Sequence, residues 1–208
     1  MNSKFRQFLL LILIAKTAVK CHTQAASEIN EISSSGIYYP LTLKEADSFE
    51  IKLHSKDISF KHLLQIDTGL YPNKRAFQLT KVNRYARYHS DASLDHIIEY
   101  FASPDDSIRV ILHEWNSTQN PDETNYNHSD TADRLQINLF QMKFEKLNSS
   151  IDSFLGRPHV KNITYGSFAE TERDDVKWLS NDKLQGYLLM FKRDINTYRQ
   201  IKLIVYPD

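Results

Sequence analysis

Apolar and polar residues alternate in two stretches near the start of the folded part of the chain. SFEIKLH (48–54) places its large apolar residues on one side, and AFQLTKV (76–82) shows the same alternation more weakly. Such a period of two is typical of strands with one buried face. The segment YPN (71–73) between them contains turn-forming residues. We therefore predict a strand in each stretch.

Residues 96–115 have the pattern of a β-hairpin. HIIEYFA and SIRVILHEW are rich in β-branched and aromatic residues, and SPDD separates them. Pro104 takes the second position of this segment, which suits a type I turn. The alternative is a short helix over 93–102 capped by Ser93, because short apolar runs do not distinguish a helix from a strand.

One long helix is predicted near 135–155. Five apolar residues recur at spacings of four and three, so that a helix would place them on one face: Phe140, Phe144, Leu147, Ile151 and Phe154. Gly156 and Pro158 follow, and both are typical of residues just beyond a helix C-terminus. The polar segment 116–133 before this helix is expected to be a loop.

Four strands are predicted after the helix, within VKNITYG (160–166), DDVKWLS (174–180), QGYLLMFK (185–192) and RQIKLIVY (199–206). The last two are apolar on both faces, which indicates central strands. The predicted fold class is α+β: an antiparallel sheet of about seven or eight strands packed against the one long helix. A single domain over 37–208 accommodates these elements.

The N-terminus has the pattern of a secretory signal peptide. Lys4 and Arg6 precede the apolar run FLLLILIA (8–15), and no acidic residue occurs before Glu28. The run is shorter than the about 20 residues that span a bilayer. We expect a signal peptide over 1–20 and a flexible linker over 21–36; the alternative is a buried N-terminal helix.

Cys21 is the single cysteine of the chain. Cys21 follows the apolar run at the distance typical of a lipoprotein signal, in which the cysteine carries the lipid. The small residues Thr17 and Ala18 also suit such a signal. Lys20 departs from that pattern, because a small residue is expected directly before the cysteine. Cleavage after Ala25 would instead remove Cys21 and release a soluble secreted protein. We favour lipid attachment, because the polar residues that follow suit a tether.

The amino-acid composition limits the cellular compartments and the classes of partner that are expected. The formal charge is zero with 26 basic and 26 acidic residues, and losing the four basic residues of 1–20 leaves 22 against 26, a net −4. This balance gives no support for nucleic acid binding. One cysteine allows no disulfide, which favours a bacterial envelope over secreted eukaryotic domains. Four Asn-x-Ser/Thr sequons, at Asn116, Asn127, Asn148 and Asn162, argue the other way.

The chain resembles a diffuse group of small, uncharacterised exported or lipid-anchored proteins of Gram-negative bacteria. The residues that carry the resemblance are the segment from Phe144 to Pro158, Trp178 and the hairpin end His113-Glu114-Trp115. The resemblance covers roughly the second half of the chain by its loose pattern. It implies a location, either periplasmic or on the outer membrane, and an architecture, but no activity.

Ile66-Asp67-Thr68-Gly69 is the sharpest catalytic motif. Aspartic proteases place a hydrophobic residue before Asp-Thr-Gly and use two such aspartates that share a proton. The chain has no second Asp-Thr-Gly, so catalysis on Asp67 would require a homodimer. The simpler interpretation of this motif is a turn. The histidines show no metal-binding spacing, and neither a metal nor a cofactor is indicated.

A basic and aromatic stretch is the candidate binding site. No acidic residue lies between Thr68 and Ser90, and the patch comprises Lys81, Arg84, Tyr85, Arg87 and Tyr88. Arginine and tyrosine suit an anionic glycan, a lipid headgroup or an acidic envelope protein. The alternative is that these cations pair with the acids of the next segment, Asp91, Asp95 and Glu99.

The sequence therefore favours an exported, lipid-anchored envelope protein with a non-catalytic binding role. Its expected partner is an envelope protein or an anionic glycan or lipid, and its membrane contact is the lipid on Cys21. The alternative function is a dimeric hydrolase resembling an aspartic protease, with Asp67 as the catalytic residue.

Overall fold

The computed structural model describes residues 32–33, 36–60, 79, 81–87, 94–117, 130–163, 172–179, 184–192 and 199–207. The described residues form two helices, α1 (Leu43–Lys52) and α2 (Asp130–Leu155). They also form ten strands, which are β1 (Ile32–Ser33), β2 (Gly36–Ile37), β3 (Lys56–Asp57), β4 (Lys81–Arg87), β5 (Leu94–Ala102), β6 (Ile108–Ser117), β7 (Val160–Asn162), β8 (Glu172–Trp178), β9 (Leu184–Lys192) and β10 (Arg199–Pro207).

Eight of the strands form one antiparallel sheet in the order β3-β4-β5-β6-β10-β9-β8-β7, and β1 pairs with β2 separately. The fold consists of two similar units. In each unit one helix, α1 or α2, precedes four strands that lie side by side in the sheet in chain order. The two units join through their last strands, β6 and β10. The fold class is therefore α+β with an antiparallel eight-stranded sheet, within the predicted number of strands.

The prediction of a strand over 48–54 is wrong, because these residues lie in and just after α1. The amide of Glu45 donates to Thr42 Oγ1 at 3.2 Å, and the amide of Leu41 donates to Glu45 Oε2 at 2.8 Å. This reciprocal capping fixes the first turn. The helix then buries Ala46 and leaves Ile51 71% exposed, which a strand with Ile51 inward would not allow. The described residues therefore include a second, shorter helix that the sequence prediction did not contain.

The hairpin prediction is confirmed, and the helical alternative over 93–102 is wrong. β5 and β6 pair from Leu94 opposite Ser117 to Ala102 opposite Ile108. The amide of Ser103 donates to the carbonyl of Ser107 at 3.0 Å, which closes the predicted turn. The strand predicted over 76–82 overlaps β4 at Lys81 and Val82, and residues 76–78 and 80 lie outside the described residues.

Helix α2 begins at Asp130 and ends at the predicted glycine. The amide of Gly156 donates to the carbonyl of Asp152 at 3.0 Å, and Gly156 has a φ of +82°. Asn148, one of the four sequon asparagines, is only 9% exposed on this helix and is therefore not accessible to glycosylation in the folded chain. Neither described helix has the length and apolar character that a membrane span requires.

Replacing Gly156 by Ala is expected to lower the free energy of unfolding by about 1 kcal/mol. No atom lies within 4 Å of the added Cβ, so the cost comes from the positive φ alone. Gly156→Asn is the matched control, because asparagine tolerates this conformation and should cost less than alanine. Urea unfolding of both variants tests this; equal stability of Gly156→Ala and wild type would contradict it.

The sheet has two faces with different surroundings. The first face carries a cluster of buried residues that includes Leu43 and Ala46 of α1 and Phe140, Phe144, Leu147 and Ile151 of α2. Trp178 Nε1 donates to Asp152 Oδ1 of α2 at 2.8 Å. At Gly186 an added Cβ would lie 3.2 Å from Leu155 Cδ1, so glycine permits the close approach of α2 to β9.

The second face carries its own buried cluster, made of residues from the four central strands. These are Phe101, Val110, Leu112, Tyr187, Leu189, Ile204 and Tyr206, with Leu79, Val82 and Phe191 packed beside them. Among the described residues, no helix residue belongs to this second cluster. In the described part of the chain, helix residues therefore contribute to the buried cluster of the first face and not to that of the second.

Candidate functional site

The structure does not bring the predicted basic and aromatic patch together on one face. Successive residues of β4 point to opposite faces, so Lys81, Tyr85 and Arg87 belong to the first face and Arg84 to the second. Tyr88 lies outside the described residues, as do Cys21 and the segment 67–69. The four patch residues that the structure describes each contact an acidic side chain; they are Lys81, Arg84, Tyr85 and Arg87. The two faces of β4 therefore have separate polar surroundings.

On the first face, Arg87 forms a buried ion pair with Glu50 of α1. The Arg87 Nε–Glu50 Oε2 distance is 2.9 Å, and Nη2 contacts Oε1. Glu50 also accepts hydrogen bonds from Tyr100 Oη and Ser55 Oγ at 2.5 and 2.6 Å. Burial raises the pKa of Glu50, but Arg87 and the hydrogen bonds from Ser55 and Tyr100 outweigh it and lower the pKa below its ordinary value.

A second pairing joins α1 to β4 beside this ion pair. Asp47 Oδ1 accepts hydrogen bonds from Tyr85 Oη at 2.5 Å and from Asn83 Nδ2 at 2.8 Å. Burial and then the hydrogen bond to Asp47 raise the pKa of Tyr85, so the hydroxyl remains a donor. Arg87 and Tyr85 therefore hold α1 against the sheet, and their arrangement is structural because the acidic partners already occupy their polar groups.

Three parallel rings occupy the first face next to this pairing. His96 and Trp115 stack with ring centroids 4.6 Å apart, and His96 Nε2 lies 3.3 Å from His113 Nδ1. Lys143 of α2 lies over the Trp115 ring at 5.0 Å. All three rings are nearly fully buried. They lie in the buried interior of the first face rather than on a surface that a ligand can reach.

The second face contains a group of charged and amide side chains beside its apolar cluster, which we call the ionic band. Its members are Arg84, Glu99, Glu114, Asn116, Arg173, Asp175, Gln200 and Lys202. They lie on β4, β5, β6, β8 and β10. The strand pairing places them on the same face as Leu112, Leu189 and Ile204.

Three ion pairs organise the ionic band. Arg84 Nε lies 3.0 Å from Glu99 Oε1, across β4 and β5. Lys202 Nζ lies 3.3 Å from Glu114 Oε2, across β10 and β6. The third pair joins two residues of β8, Arg173 and Asp175.

In that third pair, Arg173 Nε lies 2.9 Å from Asp175 Oδ1. Amide side chains extend the band, since Asn116 donates to Glu114 and Gln200 donates to Asn116 at 2.7 and 2.9 Å. The contacts thus connect Glu114, Asn116, Gln200 and Lys202 across β6 and β10, while the Arg84–Glu99 and Arg173–Asp175 pairs lie on either side of this group on the same face.

Partial burial raises the pKa of two groups, one in the band and one beside it. Burial raises the pKa of Glu99 above its ordinary value; Arg84 and Lys202 oppose the shift, and the charge of Glu114 adds to it. Burial, with Asp175 as a charged hydrogen-bond partner, raises the pKa of Tyr187 to about 12. Tyr187 therefore acts as a hydrogen-bond donor at neutral pH, and Glu99 holds a proton more readily than an exposed carboxyl group.

The ionic band offers hydrogen-bond donors and acceptors from both charged and amide side chains. In the part of the chain that the structure describes, no group of three or more His, Cys, Asp or Glu residues is placed to hold a metal ion. Each carboxylate of the band instead contacts a cation. This arrangement suits recognition of a partner that exchanges or extends these charge pairs.

The sequence pattern indicated Arg84 and its partner Glu99 but not the other members of the ionic band. The missing signal was the period of two along β6 and β10, where Glu114 and Lys202 interrupt the apolar residues of one face. The proposed alternative of pairing with the next segment is confirmed for Arg84 and Glu99. Asp91 lies outside the described residues.

Comparisons with known proteins do not assign a family. No family model matches the chain, and neither curated proteins nor solved structures gave a match.

Proposed function

We propose that this protein is an exported, N-terminally lipid-anchored domain of a bacterial envelope, with a non-catalytic role in binding a partner protein. The observation that carries the binding role is the ionic band, which places three half-buried ion pairs on the sheet face that lacks a described helix. The anchor is supported by the signal pattern and Cys21.

The exposure of the band supports recognition rather than a purely structural role. The side chains of Arg84 and Lys202 are 26% and 23% exposed, whereas Arg87 and Glu50 on the first face are 3% and 0% exposed. Ion pairs that retain some solvent contact can reorganise around a partner at little cost. The band therefore differs physically from the buried pair that holds α1.

The charge balance of the band favours a protein over an anionic glycan or lipid. Its three cations are matched by three carboxylates, so a uniformly anionic ligand would meet repulsion as often as attraction. A protein surface carries both signs and can complement the alternating pattern. We also infer that α2 lies across the first face as the long packing helix, which leaves the second face for the partner.

Reversing one ion pair tests the binding role. Glu114→Lys combined with Lys202→Glu keeps the attraction between the two strands but inverts the charges that a partner meets. A photo-crosslinking residue in place of Ile97, which lies opposite Glu114 on the same face and is not a member of the band, is expected to form a defined protein adduct in the full chain within its native envelope. This adduct should fall at least about tenfold in the reversed variant. Thermal unfolding should change little, since the pair is retained.

The matched control reverses an exposed pair away from the band. Lys81 Nζ and Asp106 Oδ1 lie 3.1 Å apart, with side chains 56% and 40% exposed. Lys81→Asp with Asp106→Lys should leave the adduct unchanged. Loss of the adduct in both variants, or persistence in both, would contradict recognition through the ionic band.

The alternative function, a dimeric hydrolase resembling an aspartic protease, depends on the motif at Asp67. It predicts peptidase activity at acid pH that Asp67→Asn abolishes without loss of the fold. A binding domain predicts no peptidase activity in the wild-type protein and an unchanged adduct in the variant. One assay of the two proteins therefore separates the functions.

A further inference from the structure

Helix α2 has a second apolar stripe on the side opposite to its buried face. Leu135, Leu139 and Met142 follow one another at spacings of four and three, so they share one side of the helix. They are 61%, 39% and 66% exposed. The buried residues of the same helix, such as Phe140 and Phe144, contribute to the first cluster instead. We call the exposed group the outer stripe.

The N-terminal part of the chain reaches the domain at this same helix. β1 and β2 pair antiparallel, and both strands contact α2. The residues that precede β1 include Cys21, the expected site of the lipid. A chain anchored at Cys21 therefore enters the folded domain beside α2 and not at the opposite face of the sheet.

We propose that the outer stripe rests on the membrane in which the N-terminus is anchored, so that α2 lies along the lipid surface. This proposal rests on the lipid anchor of the proposed function. Eleven residue steps separate Cys21 from Ile32, which is about 40 Å when fully extended and about 18 Å as a flexible coil. The 26 residues of α2 span about 39 Å. The fully extended tether is thus about as long as α2, so the anchor keeps the domain close to the bilayer.

Lipid fits the outer stripe better than a second copy of the chain. A stable protein interface buries about 800 Å² on each partner, and three partly exposed side chains supply only a fraction of this area. A tethered domain needs less binding energy, because the anchor already provides a high local concentration of membrane. Lys146, one turn after Met142, is exposed and can place its ammonium group among lipid headgroups.

A fluorescent label on a single introduced cysteine tests the proposal in the full lipidated protein. Lipidation consumes the thiol of Cys21, so Leu139→Cys provides the one thiol available to an environment-sensitive dye. In vesicles of equal parts phosphatidylethanolamine and phosphatidylglycerol, its emission should shift to shorter wavelength and be quenched by spin-labelled lipid. Lys56→Cys, an exposed site on the edge strand β3, is the matched control and should show neither effect.

The double substitution Leu135→Ser and Met142→Ser should remove the shift at position 139 while the protein still floats with the vesicles. A label at 139 that stays in water on anchored protein would overturn the proposal and leave the anchor intact. A shift that needs no vesicles and grows with protein concentration would also overturn it, in favour of a second copy. Failure to float, together with dye on Cys21, would refute the anchor itself.

Discussion

Replacing Arg87 by Met is expected to lower the free energy of unfolding by about 3–5 kcal/mol. The substitution leaves the carboxylate of Glu50 buried without its cation, since Glu50 is fully enclosed between α1 and the sheet. Tyr100 and Ser55 still donate to this carboxylate but do not neutralise it. Urea denaturation monitored by tryptophan fluorescence measures the loss, because Trp115 and Trp178 are both buried.

Two controls separate the buried charge from the loss of side-chain packing. The double variant Glu50→Leu with Arg87→Met removes both charges and should be more stable than Arg87→Met alone. Lys81→Met removes a cation from an exposed pair and should change stability by no more than about 0.5 kcal/mol. If Arg87→Met behaves like Lys81→Met, the ion pair does not hold α1 in the way described.

Acidity provides an independent check of the same ion pair. The pKa of Glu50 is lowered in the folded protein, so its contribution to stability is fully present above its ordinary pKa in the unfolded chain. That contribution is lost as the pH falls from the unfolded pKa through the lower, folded pKa. The stability difference between wild type and Arg87→Met should therefore shrink in acid, where the variant can protonate Glu50.

Replacing Phe144 by Ala is expected to lower the free energy of unfolding by about 3–5 kcal/mol. Phe144 is 2% exposed and lies in the first cluster, where its removal leaves a cavity between α2 and the sheet. The packing density of protein interiors prevents the surroundings from filling such a space fully. The midpoint of urea unfolding should fall with little change in the slope.

Met142→Ala is the matched control on the same helix. Met142 lies two positions away but is 66% exposed, so its truncation should alter stability by at most about 0.5 kcal/mol. This result also shows that the outer stripe can be changed without damage to the fold, which the membrane experiment requires. Equal destabilisation by the two substitutions would contradict the assignment of buried and exposed sides to α2.

Local sequence patterns predicted the elements whose partners are near in the chain. The hairpin of β5 and β6 followed from two alternating stretches around Pro104, and the end of α2 followed from Gly156. These signals work because turn and cap residues act through their own backbone conformation. The four strands after α2 were also located from their apolar pattern.

The error at α1 shows where two local signals compete. Phe49, Ile51 and Leu53 alternate as in a strand, but Thr42 and Glu45 form the capping pattern Thr-x-x-Glu at the helix start. The capping pattern was the better indicator, because its side chains accept hydrogen bonds from backbone amides that have no partner within the helix. The alternation of apolar residues supplies no such partners. Recognition of this pattern would have given both helices from sequence.

The candidate site was harder to predict, because its residues come from strands far apart in the chain. Lys202 meets Glu114 through the pairing of β10 with β6, which joins the two structural repeats. No local pattern encodes that pairing. The basic stretch that looked like one patch is divided because neighbouring residues of β4 point to opposite faces. Arg84 and Arg87 consequently have unrelated partners.

The intact mass of the mature protein from its native host tests whether the domain is lipid-anchored. We expect a chain that begins at Cys21 and carries a diacylglycerol group with or without a further acyl chain, and Cys21→Ala should abolish that modification. A mass that begins near Ala26, unchanged by the substitution, would contradict this expectation: the domain would then be freely soluble, with neither the anchor nor the membrane contact of α2.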